Sequence, residues 1–354
     1  MANADPVSPK GFKVDHIRVR YSRTTPGKYD LEDIEDSTIQ TVLDDLETGI
    51  CPGAVFEVFF LPPVHAEDEY GGLVLSSYPD LCHKLATALR VEPSFLTKDA
   101  WNSNGFSITQ RFRYEFECNS REGFSTASRF LVKLPPTSEQ LKTFNEPEAA
   151  WLRLAFCSLL FSTSPRPTPI LVCFDDCKRI KSDIIEGFRN HFIFDFTAHH
   201  LVMYDFLLRR IIWKYEQGVD GLQKLIRDTK KERRSFKAKI CDLDNMDSRE
   251  LDNLIHAYDE VCELSRQASH MRETLQAAVE AVQAVASSIV RDEWSTTLDQ
   301  ISNGLKYSTC LLNNLKFRLD THIHILDLEI KSVDTIVGVY QLQSLKRLLT
   351  YQKT

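Results

Sequence analysis

The second half of the chain, from Phe196 to Thr354, contains no proline and only four glycines. Proline breaks a helix and glycine weakens one, so a stretch of this length without proline is typical of long helices. The four glycines are Gly218, Gly221, Gly304 and Gly338. We therefore predict a helical domain over residues 196–354.

The first helical pattern lies between Ala198 and Arg234 and ends in a basic run that extends to Lys239. Its apolar residues follow spacings of 4, 3, 4, 4, 3 and 4: Tyr204, Leu208, Ile211, Tyr215, Val219, Leu222 and Ile226. Such spacings place side chains on one stripe of a helix. The charged residues, Asp205 and Arg209 among them, lie off that stripe, so we expect the opposite face to contact solvent.

The last helical pattern has the most regular repeat in the chain. Its apolar residues alternate spacings of 4 and 3: Leu319, Ile323, Leu326, Ile330, Val333, Val337 and Tyr340. A repeat of this kind predicts a coiled-coil-like seam, within the chain or between chains. We expect the first stripe to pack against it. A middle helix is predicted from the capping sequence at Asp247–Leu251 onward.

The first half reads as a mixed α/β unit. Residues 1–50 are predicted to be a loose leader with a short helix near Ile39, and residues 51–195 an α/β domain. Helices are expected from Pro79 and over 180–188. Strands are expected at 53–61, 106–116, 130–134, 151–161 and 169–174.

Composition excludes several classes of protein. The net charge of -7 and pI near 5.8 argue against a nucleic-acid binder, because such proteins need a basic surface. Nine cysteines without a C-x-x-C pair do not form a secreted disulfide framework, and the amino terminus has no apolar signal core. We therefore expect a cytoplasmic protein. The longest apolar runs, Leu154–Phe161 and Pro169–Phe174, are far shorter than the roughly 20 residues of a membrane span.

Asp175 and Asp176, at the end of an apolar strand, are the candidate metal ligands of this sequence. Carboxylates at strand ends can hold a hard cation such as Mg²⁺. The alternative is a strand-to-helix turn with a capping aspartate, which the sequence favours. Cys173 and Cys177 have zinc-ligand chemistry, but the C-x-x-x-C spacing without a second pair favours buried structural thiols.

Charged groups of the helical half leave two further alternatives open. The basic run from Lys230 to Lys239 could contact phosphates and allow peripheral association with an anionic membrane, or it could be a solvated helix end. The carboxylates of the last helix could bind a cation between subunits or flank the seam in solvent: Asp320, Asp327, Glu329 and Asp334. His322 and His324 face different sides of a helix and so cannot readily share a metal.

Motifs for catalysis are absent from the sequence. The thirteen glycines form no G-x-G-x-x-G, no Walker loop and no nucleophile elbow, and no H-E-x-x-H is found. We therefore expect no enzyme activity and assign no cofactor-binding residue.

In this order, the segments resemble those of the fungal CorA-like proteins, relatives of the CorA-type magnesium transporters. The similarity lies in Leu81–Leu96, in Gly105–Leu134, in Trp151–Phe188 and above all in Leu207–Asp228, LLRRIIWKYEQGVDGLQKLIRD. It implies a cytosolic α/β sandwich-like domain followed by an all-α domain of long antiparallel helices.

The chain departs from the family at the pore. The family signature is Gly-Met-Asn after the first membrane helix, whereas none of the four methionines here follows a glycine. Without that signature, the chain is not expected to transport ions itself. The resemblance then implies an assembly or regulatory module, with Mg²⁺ as the cation it would respond to. Its partners would be further copies of itself or a full-length CorA-like relative. The alternatives are a shortened product of a transporter gene and an accessory protein of a fungal metabolic cluster.

Overall fold

In the computed structural model, seven strands of the described residues form one mixed sheet, and long helices follow it in the chain. The structure describes residues 12–22, 29–34, 37–48, 54, 56–65, 74–116, 119–135, 151–161, 169–177, 181–190, 201–240, 248–289 and 296–351. An α/β domain followed by long helices is the fold class that the sequence predicts, and the structure confirms it.

The sheet has the strand order β2-β1-β3-β7-β6-β5-β4. Its strands are β1 (Asp15–Tyr21), β2 (Tyr29–Ile34), β3 (Phe56–Phe60), β4 (Gly105–Phe116), β5 (Asn119–Lys133), β6 (Trp151–Phe161) and β7 (Pro169–Asp175). Strands β3 and β7 pair in parallel. The pairs β1–β2, β1–β3, β4–β5 and β6–β7 are antiparallel.

The two continuous apolar segments of the sequence are central strands. Every residue of β7 is buried, and so is nearly all of β6. A strand reads as an unbroken apolar run when both faces of its sheet are covered. The prediction of buried strands at residues 151–161 and 169–174 is therefore confirmed.

The prediction of a loose leader is wrong for Asp15–Tyr21 and Tyr29–Ile34, which form β1 and β2. Strand β1 pairs with both β2 and β3, and its Ile17 and Val19 are buried. Only these two apolar residues of β1 face inward, between His16, Arg18 and Arg20, so the segment looked polar in the sequence. The short helix expected near Ile39 is present.

Four shorter helices accompany the sheet: α1 (Ile39–Thr48), α2 (Pro79–Ala88), α3 (Lys98–Trp101) and α4 (Lys181–Asn190). Helix α2 begins at Pro79, as expected of a proline in a first turn. The main core includes Leu43 of α1, Leu85 of α2, and Phe59 and Val172 of the sheet. Helices α1 and α2 thus bury one face of the sheet.

Three long helices make up the second half of the chain: α5 (Leu201–Ile240), α6 (Ser248–Ser288) and α7 (Thr296–Tyr351). All seven residues of the predicted stripe on α5, from Tyr204 to Ile226, are buried. Near its start, Tyr204 packs on Phe156 of β6 with ring centroids 5.6 Å apart. The first turns of α5 therefore cover the second face of the sheet.

The chain forms two compact units, and neither is continuous in sequence. The sheet unit contains Met1–Val132, Leu152–Trp213 and Ala277–Leu312. The helical unit contains Lys133–Trp151, Lys214–Gln276 and Asn313–Thr354. The boundary predicted between residues 195 and 196 lies outside the described residues and stays a prediction, and each long helix contributes to both units.

Within the helical unit, consecutive helices run antiparallel. Arg272 and Gln276 of α6 contact Asp320 and Lys316 of α7, in reverse order along the chain, each at 2.6 Å. Helices α5 and α7 run in the same direction, because Asp220 pairs with Arg318 and, further on, Lys230 with Glu329. Helix α5 therefore lies beside α7, as the predicted packing of its stripe on the seam requires.

Candidate functional site

The candidate metal ligand Asp175 lies at the end of β7 and takes part in a buried ion pair. Its Oδ2 accepts a hydrogen bond of 2.7 Å from Nη1 of Arg129, and its Oδ1 accepts one of 2.8 Å from the backbone N–H of Val64. The side chains of Arg129 and Asp175 are 5% and 2% exposed. Arg129 also donates to the carbonyl oxygen of Phe95 and stacks over its ring. These hydrogen bonds connect β5 and β7 to the segments that contain Val64 and Phe95.

Burial raises the pKa of Asp175, and the charge of Arg129 opposes that rise. Asp176 has a different partner, since its Oδ2 accepts a hydrogen bond of 2.7 Å from the backbone N–H of Arg153. The two carboxylates thus contact separate protein donors. No group of three or more potential metal-ligating side chains is found in the part of the chain that the structure describes. A cation at Asp175 and Asp176 stays a prediction.

A second polar cluster lies inside the sheet, and the sequence analysis missed it. Glu57 of β3 is fully buried and accepts hydrogen bonds from Nε2 of His16 and, at 2.5 Å, from Nε of Arg18. Nδ1 of His16 lies 2.6 Å from Oγ of Ser37. One glutamate inside the apolar run FEVFF is the signal that could have predicted this cluster, because buried carboxylates need partners.

The helical unit contains a buried lysine with an unusual environment. Nζ of Lys133, at the end of β5, donates a hydrogen bond of 2.9 Å to Nδ1 of His270 on α6 and lies 4.5 Å from the ring centre of Trp151. Burial and, to a smaller extent, the charge of Arg266 lower the pKa of Lys133 to about 8. Burial and the charge of Lys133 also lower the pKa of His270. A neutral imidazole thus accepts from an amine that loses its proton near neutral pH.

Lys133 should make the stability of the protein depend on pH. Its pKa falls from 10.5 in the unfolded chain to about 8 in the folded one, so the unfolded state binds the proton more tightly. The free energy of unfolding should therefore increase between pH 8 and 10.5, relative to Lys133→Met, by on the order of 2 kcal/mol. Urea unfolding of both proteins across this range measures the difference. A constant difference would contradict the proposed environment.

Asp205 is buried, which corrects the expectation that it faces solvent. It is 4% exposed, and its Oδ2 accepts two hydrogen bonds from Arg209, at 2.9 and 3.1 Å. A Cβ atom at Gly304 of α7 would lie 2.8 Å from its Oδ1, so the glycine makes room for the carboxylate. Burial raises the pKa of Asp205. The error arose because the first turns of α5 are covered on both sides.

Helix α7 has apolar residues on two opposite faces. Its inner face contains the buried Leu319, Leu326 and Val333 of the predicted seam. Its outer face, defined here as Phe317, Leu328, Val339 and Leu342, is exposed to solvent by 69%, 53%, 40% and 63%, respectively. At 100° per residue these four side chains fall within a narrow stripe opposite the seam. The outer face has no counterpart in the prediction, which considered only one stripe.

The remaining charged candidates mostly have partners. Lys230, at the start of the basic run, pairs with Glu329 at 3.4 Å, and Lys231 lies 4.0 Å from Asp228. The side chains of residues 232–240 lie outside the described part of the structure. Asp320 pairs with Arg272. These contacts favour solvated helix surfaces over phosphate or cation binding.

The hydropathy of the described helices bears on whether any of them could cross a membrane. None of them combines the length and apolar character that crossing a membrane requires.

Comparison with known proteins gives a likeness of fold only. No protein-family model and no curated protein sequence matches the chain. The CorA magnesium transporter of Methanocaldococcus jannaschii is similar in structure, with a TM-score of 0.49 and 9% identity, over 97% of this chain and 83% of that one. Its soluble domain gives 0.45 and 8%, over 90% of this chain and 95% of that one.

The full-length CmaX protein gives a TM-score of 0.41 and 11% identity, over 98% of this chain and 81% of that one. At these identities and TM-scores the likenesses assign no function. The fungal origin expected from the sequence stays a prediction. The function below is therefore derived from the residues of this chain.

Proposed function

We propose that this chain is a non-enzymatic assembly module, which joins copies of itself, or itself and a full-length CorA-like relative, through the outer face of α7. The observation that supports the proposal is the pair of opposite apolar stripes on this helix. One stripe packs inside the helical unit, and the side chains of the other are 40–69% exposed to solvent. A helix with apolar side chains on both sides is expected to pack on both sides.

The exposed side chains are large enough to drive association. Burying a leucine or phenylalanine side chain completely contributes about 1.5–3 kcal/mol. Phe317, Leu328 and Leu342 are each more than half exposed. These side chains line up three to four turns apart on one face of α7, and this alignment favours an interaction site over a random scatter of exposed apolar residues.

Replacing Leu328 with lysine should weaken self-association at least about tenfold, because a charge would be buried at the centre of the outer face. The matched control is Gln341→Lys, which adds the same charge at an exposed position on the flank of α7. Light scattering at micromolar concentration, with and without Mg²⁺, measures the mass of each protein. A monomeric wild type under both conditions would refute the assembly function.

The response to Mg²⁺ and the cytosolic location are part of the same proposal. A change of mass on adding Mg²⁺ would support the response. The location is supported by the six described cysteines, which are all free thiols, including the buried pair Cys173 and Cys177. Free thiols are expected in a reducing compartment.

A further inference from the structure

We infer that two copies of the chain pair through their outer faces in antiparallel orientation, with the two-fold axis at Leu328. This inference rests on the proposed assembly function and adds the identity of the partner, a second copy, and the geometry of the interface. It is carried by the spacing of the outer face and by the charges beside it.

Three of the four residues of the outer face are spaced symmetrically about Leu328. Phe317 precedes Leu328 by 11 residues, and Val339 follows it by 11 residues. In an antiparallel pair centred on Leu328, the leucines of the two copies meet, and each Phe317 lies opposite Val339 of the partner subunit. A two-fold interface needs this self-complementarity, because each residue that contacts a second one is contacted by it in return.

The 11-residue spacing also places the three contacting side chains on nearly the same side of α7. Eleven residues make three turns of 3.67 residues, which is close to the 3.6 residues per turn of a straight α-helix. Phe317, Leu328 and Val339 therefore drift only slightly around α7. Two nearly straight helices can bring all three pairs together without bending.

The charges beside the outer face favour the antiparallel orientation. Asp327 and Lys331 lie on the same flank of Leu328, and the opposite flank carries the neutral Ile325 and Ser332. Arg318 and Glu329, also on that opposite flank, are already paired within the chain with Asp220 and Lys230.

The two orientations, antiparallel and parallel, bring different flanks of the two α7 helices together. In an antiparallel pair each flank faces the same flank of the partner, so Lys331 comes within two residues, or about 3 Å along the axis, of Asp327 of the partner subunit. The two-fold axis repeats this contact. In a parallel pair Asp327 and Lys331 would face the opposite flank, whose charged groups Arg318 and Glu329 are already paired within the chain.

Disulfide cross-linking of single cysteines tests the orientation. The background is Cys310→Ser, which removes the exposed thiol of α7. A disulfide requires Cα atoms about 4.4–6.8 Å apart. In the antiparallel pair the two Phe317 positions are about 33 Å apart along the axis, since each lies 11 residues from the centre.

We therefore expect Leu328→Cys to cross-link with itself, and Phe317→Cys and Val339→Cys to cross-link only when mixed with each other. Self-cross-linking of Phe317→Cys, or no cross-link from Leu328→Cys, would overturn the antiparallel pair. A background protein that is monomeric by light scattering would refute the proposed function instead. The two failures are thus distinguishable.

A charge exchange gives an independent readout without cysteines. Asp327→Lys alone and Lys331→Glu alone each place like charges together in the antiparallel dimer. Mixing the two variants restores both attractive contacts, so the mixed dimer should form about tenfold more tightly than either variant dimerises alone. Equal affinities in all three cases would overturn the orientation.

Discussion

Replacing Arg129 with methionine is expected to lower the free energy of unfolding by about 3–5 kcal/mol, because the carboxylate of Asp175 would stay buried without its partner. Methionine keeps the length and apolar stem of the side chain, so the effect comes mainly from the lost charge and hydrogen bonds. Arg129 donates to both Asp175 and the carbonyl of Phe95, and the loss would leave two buried acceptors unsatisfied. Urea unfolding at neutral pH measures the change.

A second substitution separates the ion pair from simple loss of packing. Asp175 has a positive φ of 55°, which asparagine tolerates and most other side chains do not. Arg129→Met combined with Asp175→Asn should therefore recover part of the lost stability. The control Arg113→Met removes an exposed arginine from the same sheet and should change stability by less than about 0.5 kcal/mol. A loss below about 1 kcal/mol for Arg129→Met would contradict the structural role.

Substitution of the two aspartates tests the predicted cation site. A cation that binds Asp175 and Asp176 in the folded state would raise the Tm of the wild type when Mg²⁺ is added. That rise would disappear in Asp175→Asn with Asp176→Asn. An equal Tm with and without Mg²⁺ would contradict the cation site and leave the aspartates a structural role through their protein contacts.

The sequence predicted the parts of the fold that repeat. The stripe from Tyr204 to Ile226 was correct at every position, because a long amphipathic helix repeats its pattern over several turns. The strands at 151–161 and 169–174 were also correct, because an apolar run bounded by prolines has few alternatives. Repetition gives each prediction several independent residues.

Features that depend on contacts distant in sequence could not be predicted. Strand β1 buries only two apolar side chains, Ile17 and Val19, and its place in the sheet comes from pairing with β3. Lys133 and His270 are 137 residues apart, so nothing local indicates their contact. The burial of Asp205 depends on helices that cover both sides of α5. In each case the decisive neighbour comes from another part of the chain.

The outer face of α7 was not predicted from the sequence for a different reason. Its residues are spaced by 11, and the search for spacings of 3 and 4 found only the inner seam. Exposure, which only the structure gives, distinguishes the two stripes. The sequence analysis thus placed the interaction surface on the seam of the last helix, whereas we propose that it lies on the outer face of the same helix.

Replacing Gly218 with alanine is expected to destabilise the protein by about 1–3 kcal/mol, although alanine normally favours a helix. The new Cβ atom would lie 2.8 Å from the backbone oxygen of Lys133 and 3.1 Å from Cε of Met271. Met271 can move aside, but Lys133 is the last residue of β5, and its amine is held by His270. The clash therefore has to displace the backbone of the chain or of α5.

Gly338→Ala is the matched control, because it makes the same change in a long helix with nothing within 4 Å of the new atom. Helix propensity alone should then decide the result, and the substitution should stabilise the protein by about 0.5–1 kcal/mol. Urea unfolding should thus show opposite signs for two chemically identical substitutions. The same sign for both would mean that the chain leaving β5 does not pack closely on α5 at Gly218. Gly218→Ala should also weaken the pH dependence assigned to Lys133, since the displaced backbone carries that side chain away from His270.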